Sequence, residues 1–362
     1  MPLTEAAVRQ ELAHFTDDHT GLDLIAAKAV KAVGIDGDNI ALQLQWSYPA
    51  ETQHQAIAES VRNRLQQQLG AKAVAVAIET RVPAHQVQKN LSPLPGVKNI
   101  VAIASGKGGV GKSTTTVNLA LALAAEGARV GVLDADIHGP SIPMILGLSG
   151  KPDSTDGKTV EPKIAYGLQA MSIGLFLGED TPTIWRGPMT TQYLQQLLTT
   201  THWHDLDYLL IDLPPGTGDI QLTLAQRIPV SAAIIVTTPQ DIALIDAKKA
   251  LKMFEKVEVP VLGIIENMAT HICSQCGHAE AIFGEGGGEK MAEHYGVALL
   301  GQLPLLRAIR ERADSGHPTV AAEPESATAE AYRAIARKAA ALLSLQARNK
   351  SLGFPNIVIQ NT

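Results

Sequence analysis

The stretch HICSQCGH, residues 271–278, carries Cys273 and Cys276, the two cysteines of this 362-residue chain. Two thiolates at C-x-x-C spacing are half of a metal site, because zinc and iron–sulfur clusters usually take four protein ligands. His271 and His278 flank the pair, and imidazole is a common ligand. Four ligands inside this one short stretch would need a far tighter wrap than the separated ligand pairs of zinc fingers. A symmetric dimer is simpler, since two copies bring four thiolates to one two-fold axis. Such a site suits one 4Fe–4S cluster, and equally a structural Zn²⁺. A redox disulfide is the third reading, although C-x-x-C normally serves it at a thioredoxin-like βα turn, which this stretch is not.

A second chemistry lies in IASGKGGVGKSTTT. Gly106 to Ser113 fit G-x-x-x-x-G-K-S/T between an apolar run and a helical stretch, the context of a P-loop. Gly106, Gly108, Gly109 and Gly111, with Lys107, Val110 and Thr114, let backbone N–H groups curl around phosphates at a helix N-terminus. Lys112 would reach the β- and γ-phosphates, and the Ser113 hydroxyl would ligate Mg²⁺. Lys107 is a second lysine on the same loop, which could reach a nucleotide held by another copy or be a solvated surface lysine. VLDADIHGPS sets Asp134 and Asp136 at the carboxyl end of one expected strand, and YLLIDLPPGTGD sets Asp212 at the end of another. Asp212 reads as the carboxylate supporting Mg²⁺, and Asp136 as the group that positions the attacking water. Asp219 reads as a cap on the following helix.

These groups need elements to hold them. Strands are expected over 100–104, 130–134, 208–212, 232–237, 261–266, 298–303 and, more weakly, 168–173. The first helix is marked by Val117, Ala120, Leu121 and Ala124 and ends at Gly127. Near-continuous apolar strands alternating with helices predict an α/β domain, a mostly parallel sheet covered by helices on both faces. It would span residues 99–346, closing with a helix over 324–346, with a tail over 347–362. A small α+β module is expected over 1–82. There Ile40, Leu42, Leu44 and Trp46 alternate, Ile57, Val61, Leu65 and Leu69 recur at helical spacing, and Val74, Val76 and Ile78 alternate again. The polar, proline-bearing stretch 83–98 is the linker.

Composition narrows the class. Apolar residues at 45% and charged residues at 18% suit a soluble globular chain, and a formal net charge of −6 gives no electrostatic reason for a nucleic-acid or anionic-membrane partner. The acidic N-terminus lacks the apolar core of a secretory signal, so a cytoplasmic location is expected.

GKGGVGKS, DADIHGPS and DLPPGTGDIQLTLAQ together resemble the deviant Walker A ATPases of the MinD/ParA-like class. WRGPM (185–189), TTPQDIALIDAKKA (237–250) and ENM…HICSQCG narrow the likeness to the Mrp/ApbC-type P-loop ATPases that carry iron–sulfur clusters. The likeness covers residues 93–325. It implies ATP hydrolysis with Mg²⁺, and Lys107 acting across a homodimer. It also implies Asp136 in switch I, Asp212 with Pro214–Asp219 as Walker B and switch II, and Asn267 against the adenine ring. Cys273 and Cys276 would bind a cluster, 4Fe–4S by expectation, between two subunits. A scaffold protein would donate the cluster and apo iron–sulfur proteins would receive it. The N-terminal module resembles the MIP18-like unit often fused to these carriers, and lacking cysteine it would scaffold or interact.

Three alternatives belong to other classes. A MinD-like spatial organiser would need a C-terminal amphipathic membrane helix or a basic DNA surface, and SLGFPNIVIQNT with a negative net charge offers neither. A client-targeting ATPase with interfacial zinc would need a methionine- or leucine-rich helical insertion. A nitrogenase-iron-protein-like electron donor would draw its cysteines singly from distant segments.

Overall fold

The computed structural model describes residues 3–154, 157–176, 187–273 and 275–346. The tail expected over 347–362, and Trp185 and Arg186 of the WRGPM motif, lie outside the described residues.

The N-terminal module is a three-stranded sheet with helices on one face. Its strands are β1 (Val30–Asp36), β2 (Asn39–Trp46) and β3 (Ala73–Thr80). β2 lies in the middle, antiparallel to β1 and parallel to β3. The alternation of Ile40, Leu42, Leu44 and Trp46 turns those four side chains inward, where all are buried. The helix His54–Leu69 closes that face through Val61 and Leu65, and ends at Gly70 in the left-handed region (φ 68°). β1 and the helix Glu5–Leu12 escape the pattern reading. No residue of β1 is fully buried, so it shows little apolar alternation.

The second sheet has eight strands. They are β4 (Ile100–Ala104), β5 (Val130–Asp134), β6 (Lys163–Ala165), β7 (Leu168–Ser172), β8 (Tyr208–Asp212), β9 (Ala232–Thr237), β10 (Val261–Glu266) and, after the two-residue strands β11 (His271–Ile272) and β12 (Ala279–Glu280), β13 (Ala298–Gln302). Spatial order is β13-β10-β9-β4-β8-β5-β7-β6, with every neighbour parallel except the edge pair β6–β7. The expected strands occur here, 298–303 and 168–173 each ending one residue early. β4, β5 and β8 are buried at every position. Val101 and Ile103 point into the layer of the helices Lys112–Ala125 and Ala327–Ser344. Ile100 and Ala102 point into the opposite layer, with Leu194, Leu224 and Phe254. Two covered faces explain why these strands read as continuous apolar runs.

The helix Lys112–Ala125 is buried around most of its girth, from Thr115 to Leu123. Behind its last turn Glu126 is fully buried. Its carboxylate accepts from the backbone N–H and hydroxyl of Thr52 and from the guanidinium of Arg337. Burying that charge is tolerable because every partner is charged or a strong donor. Glu126 thus ties the N-terminal module and the closing helix Ala327–Ser344 to the end of the first helix. No helix among the described residues is long and apolar enough to cross a membrane.

Candidate functional site

Parallel topology brings the carboxyl ends of β4, β5 and β8 to one edge, the ligand-binding edge of open α/β sheets. The loop Ser105–Gly111 leaves β4 there. Gly109 and Gly111 have φ of 80° and 81°, a region that side chains disfavour. Space imposes a second demand. A Cβ on Gly106 would lie 2.2 Å from the carbonyl carbon of Asp246, and one on Gly111 would lie 2.3 Å from Asn267 Nδ2. The loop is therefore gripped between the helix Asp241–Lys256 and the segment that follows β10.

Behind the loop, three side chains converge on Asp212. Lys112 Nζ lies 2.8 Å from Asp212 Oδ2, the Ser113 hydroxyl donates to the same oxygen at 2.6 Å, and Thr116 Oγ1 donates to Oδ1 at 2.7 Å. Asp212 is fully buried and Lys112 nearly so. Asp134 stands beside Asp212 in register on the neighbouring strand. Burial and the Asp212 charge push the Asp134 carboxyl up to about 7. Its oxygens accept from the Asp136 and Ile142 backbone N–H groups at 3.1 and 3.2 Å and from the Ser172 hydroxyl at 3.0 Å. Asp134 thus shapes the turn that carries Asp136, while Asp136 itself is half-buried. Asp136 lines a cleft of about 270 Å³ with Lys107, Lys112, Ser113, Thr114 and Pro215.

Lys107 leans the other way. Its Nζ is 3.8 Å from Asp246 Oδ2, while Asp246 Oδ1 pairs with Lys249 at 2.8 Å. Within the chain it makes no ion pair with Asp212. After β8, Gly216 (φ 101°) donates its N–H to Ser105 O, and Gln221 Nε2 donates to Pro215 O, tying the Pro-Gly turn to the loop. Asp219 begins the helix Asp219–Arg227, but Gly218 holds the capping position and no side chain caps it. The expected cap is corrected accordingly: the Asp219 carboxylate sits in the first turn, where its charge suits the helix dipole without a capping bond.

Asn267 is buried beside the loop. Its Nδ2 donates to Val110 O at 2.8 Å, and its Oδ1 accepts from Met268 N–H at 2.9 Å. The same connection runs on to the cysteines. Ala269 N–H bonds Leu303 O and Leu305 N–H bonds Thr270 O, so the chain is laid along the segment after β13 before it turns out as the hairpin β11–β12. Cys273 and Cys276 sit in that turn, the first half-buried and the second exposed. Cys273 N–H donates to His278 O, and Gly277 N–H to Cys273 O. The Cys276 and Gln275 backbone N–H groups and the Cys276 side chain face the Cys273 sulfur and hold its thiol below the ordinary range. Donors aimed at sulfur stabilise the thiolate, which is the metal-binding form. His271 is turned inward, its Nδ1 3.3 Å from Leu305 O, and His278 is exposed.

The structure thus gathers the loop and Asp136 at one cleft with Asp212 buried behind it, sets Asn267 against the loop at Val110, and carries Cys273 and Cys276 outward on a separate hairpin. Pattern reading passes over Thr116, which shares Asp212, and Asp246, which faces Lys107. The run KSTTT is a signal for Thr116, whereas nothing local in the sequence points to Asp246.

Comparison with known proteins agrees with this geometry. Residues 96–340 match the model described as NUBPL iron-transfer P-loop NTPase, and residues 5–78 match the iron–sulfur cluster assembly protein model. The chain is 53% identical to an iron–sulfur cluster carrier protein of Haemophilus influenzae over 91% of this chain and 90% of that one. It is 46% identical to the mouse iron–sulfur cluster transfer protein NUBPL over 75% of this chain and 85% of that one. Among solved structures, an ADP-bound nucleotide-binding protein of Archaeoglobus fulgidus superposes with TM-score 0.57 at 38% identity, covering 64% of this chain and 90% of its own. The cell division ATPase MinD of Pyrococcus furiosus does so with TM-score 0.50 at 25% identity, covering 66% of this chain and 97% of its own. The loop, the buried lysine–aspartate pair and the matches across both halves lead to one statement: the chain belongs to the NUBPL iron-transfer P-loop NTPase family.

Proposed function

We propose that this protein is an ATP-hydrolysing carrier of an iron–sulfur cluster, which it holds between two copies and passes to apo-proteins. The supporting observation is the cysteine hairpin. One chain offers two thiols on an outward turn, with backbone N–H groups aimed at Cys273 sulfur and His271 turned toward the protein body. Two such hairpins at a two-fold axis complete the four thiolate ligands of a 4Fe–4S cargo.

The nucleotide chemistry follows from the cleft. Backbone N–H groups of Gly106 to Thr114 cradle the phosphates, and Lys112 moves its charge from Asp212 to the β- and γ-phosphates. The donor set fits Mg²⁺: a hydroxyl and a carboxylate oxygen, Ser113 Oγ and Asp212 Oδ2, meet at 2.6 Å, and both are hard ligands. Bound there, Mg²⁺ would neutralise charge on the phosphates. Asp136 orients the attacking water. Lys107, half-buried on the loop and held only loosely by Asp246, reaches the partner copy's nucleotide. Asn267, with one amide proton given to Val110 O, keeps another for the adenine ring.

Nucleotide state and cargo are joined by the interface and by the short connection from Asn267 to Cys273. If Lys107 acts across the interface, hydrolysis changes how tightly two copies associate, and separation removes half of the cluster's ligands. The carrier takes its cluster from a scaffold protein in the cytoplasm and gives it to apo iron–sulfur proteins, with neither nucleic acid nor membrane as partner. The domain division 1–82, 83–98, 99–346 and 347–362 belongs to the same proposal, with the first module a docking scaffold. The test is cluster release measured with ADP, with a non-hydrolysable ATP analogue and without nucleotide. Release to an apo-protein should differ among the three states. Equal rates would remove the coupling.

A further inference from the structure

At the opposite end of the large sheet, away from the nucleotide cleft, three side chains meet. His202 Nδ1 lies 2.9 Å from Glu161 Oε1 and His204 Nε2 lies 2.7 Å from Glu161 Oε2, with the two imidazole centroids 4.3 Å apart. The ligand-type atoms of the three residues all fall within 4.8 Å of one another. Each is at least a third exposed, so a solute can reach them.

The local sequence forces this meeting. Along His202, Trp203 and His204 burial alternates, exposed, buried and exposed. Trp203 is 3% exposed and its Nε1 donates to Leu198 O at 3.1 Å, so burying the indole throws both histidines outward on one side. The backbone on which they stand is clamped. The Gln169 side chain both accepts from His204 N–H at 2.8 Å and donates to His204 O at 2.9 Å. His202 N–H donates to Val160 O, and Val160 N–H to Thr200 O, both at 2.9 Å, which sets Glu161 beside the histidines. Glu161 N–H is itself held by Asp153 O at 2.8 Å.

We propose that Glu161, His202 and His204 form a second metal site, one that takes a borderline divalent cation of the Zn²⁺ class. Two imidazole nitrogens and one carboxylate oxygen are a donor set that zinc favours, and hard Mg²⁺ or Ca²⁺ does not. Ligand atoms around a tetrahedral zinc lie about 3.3 Å apart, given metal–ligand bonds near 2.0–2.1 Å. The present N···O contacts open to that spacing by small side-chain rotations. Three protein ligands leave one position for water or an exchangeable anion. Occupancy would pin Val160 and Glu161 to the stretch leading into β8. The site also lies far from the thiols, so zinc in a purified sample has a source other than the cysteines.

The experiment uses the full chain with Cys273→Ser and Cys276→Ser, titrated with Co²⁺ as a visible reporter of zinc-type sites. One Co²⁺ per chain should bind, with no thiolate charge-transfer band, and Zn²⁺ should displace it. His202→Ala or His204→Ala should weaken binding by about tenfold or more, the range lost with a ligand or its supports. The pair His202→Ala/His204→Ala should abolish it. ATP affinity, read on the same samples, should stay unchanged and so certify the fold. Unchanged Co²⁺ uptake in the double variant, or no saturable uptake with the triad intact, overturns the proposal.

Discussion

The phosphate loop, packed against the connection that follows β10, and the cysteine hairpin, carried by that connection, are built on opposite principles. Around the loop the buried charges are answered within the chain. Lys112, Ser113 and Thr116 all serve Asp212, Asp134 has three donors, and Gly106 and Gly111 are seated against Asp246 and Asn267. The hairpin has two strands of two residues each and exposes most of its turn. Beyond two backbone hydrogen bonds at its turn, it provides a set of donors around the Cys273 sulfur. A pocket preorganised by its own chain can bind nucleotide with one copy, whereas two thiols on a short hairpin supply only half of a four-ligand site. On the proposed reading, pairing of two copies is required for cargo and for hydrolysis through Lys107, but not for nucleotide binding.

The sharpest break between the two regions comes from the thiols. Cys273→Ser or Cys276→Ser should abolish cluster assembly in anaerobic reconstitution with iron and sulfide while leaving ATP affinity within about twofold, since each substitution lies on the exposed hairpin. Loss of nucleotide binding in either variant would mean that the regions are not separable. Next in size, Lys112→Ala removes a charge-assisted phosphate contact of about 1.5–3 kcal/mol and should weaken ATP binding roughly 10- to 100-fold by calorimetry. Because Asp212 also loses its buried partner, a lower melting temperature should accompany it. Lys107→Ala should cut hydrolysis by about tenfold or more with little change in nucleotide affinity, as expected of a group that acts on the transition state across the interface. Normal turnover in that variant would return Lys107 to the solvated surface. The smallest effect concerns the hairpin alone. Because N–H donors favour its thiolate, Cys273 should alkylate at a pH below that of an ordinary thiol, with adducts located by mass spectrometry. A pH profile matching free cysteine would remove the donors' role.

Much of the architecture was written in the apolar runs, because buried parallel strands such as β4, β5 and β8 must be apolar on both faces. The edge pair β6–β7 was only half legible. Its turn uses Tyr166 and Gly167, both at positive φ, and a tyrosine there gives no turn signal. β1 was illegible for the opposite reason, being too exposed to show a period. At the site, the loop motif and Asp212 could be read because phosphate chemistry fixes residue type and spacing together. The Lys107–Asp246 pairing and the Asn267–Val110 contact join residues more than a hundred positions apart, and no local spacing encodes them. The triad Glu161, His202 and His204 is similarly hidden, since its carboxylate comes from a distant loop.

The central claim is that a single copy holds half a cluster site and pairing completes it. Native mass spectrometry of protein reconstituted without oxygen, with iron and sulfide assayed on the same sample, tests this directly. The expected species is a dimer carrying one four-iron cluster, about two irons per chain. A monomer that retains a whole cluster would contradict it.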